Sequence, residues 1–225
     1  MQLCDAAARA GVRQFIYASS ASVYGIKDDQ AITEEATLEP VSDYNKTKMC
    51  AERICISYAD AMAMQIVRPA TVCGLSPRMR LDTMVNMLTV QALKAGRITA
   101  HCGEHGANLM RPNTHIEDIT DLYCWLLDRP GITGTFNAGF ENLSAMDTAR
   151  LIQATVPCEI EITKVKDKRS YAVDSAKLLA LGFKPRFGVA SAIAQIKQAW
   201  QAGALTDGED KYNLAWMRSH GWVQT

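Results

Sequence analysis

Two short apolar runs, Gln14–Ala18 and residues 65–68, each follow a helical pattern, and this alternation constrains the fold more than any other feature of the chain. Residues 3–10 are alanine-rich with helical spacing, and Gly11 stands where a left-handed residue would close that helix. Residues 44–63 place Ala51, Ile54, Cys55, Tyr58 and Met62 on one face of a long predicted helix, and Pro69 stops the strand after it. Helix followed by buried strand, repeated, is the rhythm of an α/β fold.

Between these elements lies a predicted loop over residues 23–41. From Gly74 the pattern changes to a Pro-, Arg- and Met-rich loop, a helix over 83–95, a strand near 98–100 and a Gly-rich stretch over 102–107. Residues 114–127 then give an acid-rich helix start at Glu117-Asp118, and Thr135-Phe136-Asn137-Ala138 gives a strand. Ser144 before Asp147 marks a helix cap. A strand near 160–164, a short helix over 175–181 ended by Gly182 and a helix over 189–203 complete the pattern. The expected organisation is a sheet domain over 1–74 and a smaller lobe over 75–225, with 114–140 returning to the sheet.

Twenty-four basic residues balance twenty-four acidic ones, so no basic field favours nucleic acid or an anionic membrane, and a small-molecule partner is expected. Apolar runs are broken by charge well short of the roughly 18 residues a span requires. The first residues also lack the layout of a signal peptide, so the expectation is a cytoplasmic protein. The seven cysteines are scattered and never spaced C-x-x-C, which points to reduced, mostly buried thiols with no disulfide framework and no metal site.

Chemistry concentrates at Tyr44-Asn45-Lys46-Thr47-Lys48, where a phenol and an ammonium share one helical face. A cation beside a phenol favours phenolate, the form that takes a proton. Before that helix, the strand through Ala18 delivers Ser19, Ser20 and Ser22 at its carboxyl end, the end at which open α/β sheets bind ligands.

Ser19-Ser20-Ala21-Ser22-Val23-Tyr24-Gly25, the Tyr44-x-x-x-Lys48 helix with Ala51-Glu52, Arg68-Pro69-Ala70-Thr71-Val72-Cys73-Gly74, and Arg111 through Asp118 occur in order along the chain, followed by Arg169-Ser170-Tyr171 and Leu181 through Pro185. In this order the chain resembles the extended short-chain dehydrogenase/reductase family of NAD-dependent, nucleotide-sugar-modifying epimerases and dehydratases. The resemblance implies a partial Rossmann-like parallel sheet with a smaller C-terminal substrate-binding lobe. It implies Tyr44 as catalytic acid/base, Lys48 beside it and on the nicotinamide ribose, and Ser20 as the hydroxyl that hydrogen-bonds the reacting oxygen, with Ser19 and Ser22 weaker substitutes. Ser19 and Pro69 would lie at the cofactor, which would be NAD or NADP. Thr71, Asn86, Arg111 and Arg169 would contact a nucleotide-diphosphate sugar, the two arginines through its phosphates. His115 and Asp118 are expected to hold the local structure, and the protein is expected to form a homodimer.

The chain also departs from that family. Its Gly-x-x-Gly-x-x-Gly loop and the acidic residue that reads the adenosine ribose have no counterpart here, so the resemblance starts partway into the family's pattern. The alternatives are an enzyme whose cofactor site this chain does not carry in full, and an inactive fragment that only binds or oligomerises. Ala21-Ser22 stand where the family's 4,6-dehydratases carry Asp-Glu, which argues against dehydration. Thr71 replaces an Asn common in the epimerases, leaving epimerase, 4-dehydrogenase and reductase open.

Overall fold

The computed structural model describes residues 1–27, 31–103, 109–165 and 170–223. Helix α1 (Gln2–Arg9) carries an Asp5–Arg9 pair one turn apart, and Gly11, at φ 70°, turns the chain into strand β1 (Gln14–Ala18). A 3₁₀ turn at Ala21–Tyr24 leads into the predicted 23–41 loop, which contains a two-residue strand, β2 (Ala31–Ile32). Helix α2 (Asp43–Ile56) begins at Ser42, whose hydroxyl accepts the Asn45 N–H at 3.2 Å.

The helix predicted over 44–63 therefore ends seven residues early. Tyr58, Ala59 and Ala61 bond to carbonyls three residues back, and the Ser57 hydroxyl bonds the Ile54 carbonyl at 2.8 Å. These tighter turns end the helix and let strand β3 (Ala63–Pro69) start at once.

Beyond β3 lie β4 (Thr71–Cys73), α3 (Met84–Ala95), β5 (Arg97–Gly103), β6 (Met110–His115), α4 (Ile116–Leu127), β7 (Gly134–Ala138), β8 (Glu141–Ser144) and α5 (Ala145–Thr155). The chain continues through β9 (Glu159–Val165), β10 (Ala172–Val173), α6 (Ala176–Ala180), α7 (Val189–Gln201) and α8 (Asn213–Ser219). The Ser144–Asp147 pair forms a full capping box at α5.

Strands β1, β3 and β7 form a parallel sheet in that order, with Tyr17 opposite Ile66 and Val67 opposite Phe136. Segment 134–138 thus pairs with β3 at the far side of the sheet from β1. Strands β4, β6 and β8 form a second sheet, β5 pairs with β9, and β2 with β10.

Successive residues of β3 face opposite ways. Ile66 packs with Cys4, Cys55 and Met64 beneath α1 and α2, whereas Val67 packs with Ile119, Leu122, Leu126 and Phe136 under α4. Each such side chain contributes about 1.5–3 kcal/mol relative to exposure. Helices α3, α5 and α7 enclose a further core with β5, built on Val85, Leu88, Ile98, Ile152 and Ile193. Among the described residues no helix is long and apolar enough to cross a membrane.

Gly25 closes the turn that follows β1. It sits at φ 78°, and a Cβ there would lie 1.9 Å from the Glu39 carbonyl oxygen. Both the strained dihedral and the backbone contact oppose a side chain. Gly25→Ala is expected to cost roughly 1–3 kcal/mol in denaturant unfolding. An unchanged midpoint would contradict this packing.

Candidate active site

The carboxyl end of β1 turns at Ser19 and Ser20 into the short 3₁₀ turn, which Ser20 caps by accepting the Ser22 N–H at 3.3 Å. The Ser22 hydroxyl donates to Asn45 Oδ1 at 2.7 Å, so its contact with Ser20 Oγ, at 2.8 Å, uses the Ser20 proton. This chain of bonds ties Ser20 to the first turn of α2, beside Tyr44.

Helix α2 stacks Tyr44, Lys48 and Glu52 at intervals of one turn. Lys48 Nζ donates to the Ala18 carbonyl at 2.7 Å and stands 5.7 Å from the centre of the Tyr44 ring and 5.2 Å from that of Tyr17. Tyr44 itself is 57% exposed, facing solvent at the mouth of the site. Tyr17 is the other phenol at the ammonium. Burial, followed by the negative fields of Cys55 and Glu52, pushes its pKa up to about 12, which favours the neutral phenol.

These groups open on a cleft of about 760 Å³, into which Ser20, Ser22, Tyr44, Lys48, Pro69, Thr71 and Asn86 all face. The structure therefore brings together, from β1, α2, β3, β4 and α3, most of the residues singled out in the sequence. Two of them have other commitments. Ser19 lines the cleft, but its hydroxyl donates to Glu52 in the core. The Asn86 amide accepts the Gly74 N–H at 3.0 Å and donates to the Arg80 carbonyl at 2.9 Å, fixing the loop between β4 and α3.

Arg111 lies on β6. It lines an adjoining recess of about 470 Å³ shared with Tyr44, Ser22 and Thr71. It also lines a further recess of about 400 Å³ walled by Met84, Met87, Leu88 and Leu109. Arg169 lies outside the described residues.

His115 and Asp118 serve the structure, as the sequence reading expects. His115 Nδ1 accepts the Glu117 N–H at 3.1 Å, which leaves the proton on Nε2, 3.0 Å from Gln195 Oε1. Asp118 receives the backbone N–H groups of Arg186 and Phe187. No group of three His, Cys, Asp or Glu suited to a metal occurs among the described residues.

Sequence reasoning gave no role to Arg78, Arg80, Thr83 and Tyr171, which also line the cleft. It also passed over the polar layer beneath. Arg68 forks onto Glu52, Nε to Oε1 at 2.9 Å and Nη2 to Oε2 at 2.6 Å, with side chains only 6% and 1% exposed. Arg68 Nη1 donates to the Tyr24 hydroxyl at 2.7 Å, and that hydroxyl donates to Asn137 Oδ1 at 2.7 Å. The periodicity Tyr44, Lys48, Glu52 was the available signal for the first member.

Comparison with known proteins places this geometry in a family. The model of the NAD dependent epimerase/dehydratase family matches residues 1–139. An uncharacterized UDP-glucose epimerase of Bacillus subtilis is 31% identical over 156 residues, covering 68% of this chain and 48% of the relative. UDP-glucose 4-epimerase of Lactobacillus helveticus is 25% identical over 236 residues, covering 94% of this chain and 71% of that protein. Among solved structures, UDP-glucuronic acid 4-epimerase from Bacillus cereus in complex with NAD shares 26% identity at a TM-score of 0.74, over 89% of this chain and 65% of its own. The chain thus spans about half the length of the first of these relatives. Its α/β fold with parallel strands, its ordered motifs and the family match agree: the chain belongs to the NAD dependent epimerase/dehydratase family.

Proposed function

We propose that this site oxidises and reduces a hydroxyl of a nucleotide-diphosphate sugar with NAD, as an epimerase or a 4-dehydrogenase/reductase. The observation that carries the reading is the placement of Tyr44 and Lys48 one turn apart at the carboxyl end of β1, with Lys48 anchored on the Ala18 carbonyl and Tyr44 open to a cleft that leads to Arg111.

The donor set suits the nicotinamide end of the cofactor: an ammonium and a phenol beside Pro69, over the ends of parallel strands. Tyr44, Lys48 and Pro69 would hold it there. When bound, NAD would accept the hydride from the sugar carbon and return it.

The remaining chemistry belongs to side chains of the chain. Tyr44 takes the proton of the sugar hydroxyl as that carbon is oxidised and gives it back on reduction. The Ser20 hydroxyl, placed by the Ser22–Asn45 bonds, turns its proton from Ser22 to the same oxygen once the sugar is bound. Thr71 stands beside it on the β4 wall. Arg111 pairs with the diphosphate, between the polar cleft and the apolar recess, and the recess takes the base. No Asp or Glu lines the cleft among the described residues, so no carboxyl group is at hand to eliminate water. This favours epimerisation or dehydrogenation over dehydration.

Calorimetry with UDP-, GDP-, CDP- and dTDP-sugars, with and without NAD(H), tests the reading. One nucleotide sugar should bind, and Arg111→Ala should weaken it by about 1.5–3 kcal/mol while NAD(H) binding changes far less. Equal loss for both ligands would remove Arg111 from the diphosphate.

A further inference from the structure

The buried polar layer beneath Tyr44 and Lys48 takes part in no step above. Glu52 follows Lys48 by one turn, and its carboxylate accepts from Ser19 at the end of β1 and from both arms of Arg68 on β3. Arg68 continues through Tyr24 to Asn137 on β7, and the Asn137 amide donates to the carbonyls of Ile32 and Asp174. The end of β1, the turn at Tyr24, α2 and β3 therefore meet at one ion pair, which Tyr24 links to β7.

Stability does not account for such a pair. Burying two charges costs desolvation that their attraction only about repays, and well-packed apolar side chains of similar volume often replace a buried pair without loss. Direction is what apolar packing does not supply. The guanidinium fork accepts one orientation of the carboxylate, so it fixes the rotation and height of α2 against the ends of β1 and β3. Tyr44 and Lys48 project from that same helix, and Ser20 follows directly on Ser19, which the carboxylate holds.

We infer that Glu52, clamped by Arg68, is a positioning residue that sets Tyr44 and Lys48 of α2 against Ser20 so that Tyr44 and Ser20 address one reacting oxygen. The inference rests on the proposed role of Tyr44, but its geometric content can be read without turnover. The double variant Glu52→Leu/Arg68→Met keeps the volume of the pair and removes its direction. Amide hydrogen exchange is then compared between residues 43–48 and helix α7, with global stability measured in parallel.

The expected result is a folded protein in which exchange at 43–48 rises at least about tenfold while α7 stays within about threefold. If nucleotide-sugar turnover is present in the natural chain, kcat should fall about tenfold or more with KM within about threefold. Arg68→Lys, which keeps the charge without the fork, is read in the same way should the double variant not fold. Unchanged exchange at 43–48 in a folded variant, or a rise shared equally with α7, would overturn the inference. Absence of turnover in the natural chain would count against the enzymatic reading alone, since the exchange result decides the positioning role independently.

Discussion

Tyr44→Phe should lower kcat for the nucleotide sugar by roughly 10²-fold or more, the usual scale for losing a positioned proton acceptor. The substitution removes one hydroxyl from a ring that is 57% exposed, and among the described residues no side chain hydrogen-bonds to that oxygen. Stability should therefore stay within about 0.5 kcal/mol. KM should change little, because the lost interaction belongs to the reacting oxygen and the diphosphate is held elsewhere. Steady-state kinetics and thermal melts on the same preparation check both halves. Undiminished turnover would remove Tyr44 from the chemistry.

The second large effect is on the fold. Glu52→Ala should destabilise the protein by about 3–5 kcal/mol, because it leaves the Arg68 guanidinium buried without its counter-charge. Glu52 is 1% exposed and Arg68 6% at their side chains, so water cannot take over the role. By contrast, Arg80 meets Asp82 at the surface with side chains 48% and 25% exposed, and breaking that pair should cost no more than about 1 kcal/mol. Denaturant unfolding of the two variants side by side separates them. Similar small losses would mean that the Glu52–Arg68 pair is not the buried clamp described above.

The elements that were legible in the sequence are those whose apolar spacing is local. Residues 14–18 are predicted as a strand and form β1, and the helix expected over 83–95 forms as α3, with Thr83 at its N-cap position but its hydroxyl making no capping bond. Helix α2 is overpredicted because Tyr58 and Met62 continue its apolar spacing; Met62 is buried after the chain has already turned, packed with Cys4 and Cys55. Strand β6 was not anticipated, since Met110-Arg111-Pro112-Asn113 reads as a loop. It is a strand because β4 and β8 flank it and supply the pairing that its own residues do not advertise.

The same division holds at the site. Tyr44 and Lys48 were legible because their relation spans one helical turn, and Ser20 because it follows an apolar strand. The clamp was not, since its members are 16 to 113 residues apart and only the parallel order β1-β3-β7 brings them together. The commitment of the Asn86 amide to Gly74 and Arg80 is of the same kind, a loop contact with no periodic signature.

The central claim is that Tyr44 mediates NAD-dependent redox chemistry at a nucleotide-sugar hydroxyl. It is tested most directly by incubating the protein with each nucleotide sugar, with and without NAD, and following the sugar ring protons by nuclear magnetic resonance, with Tyr44→Phe as the parallel sample. The account predicts that one nucleotide sugar is epimerised or oxidised at a single carbon, that conversion requires NAD, and that it falls by about 10²-fold in the variant. Conversion that proceeds equally with Tyr44→Phe, or a folded protein that neither binds nor converts any of the sugars, would contradict it.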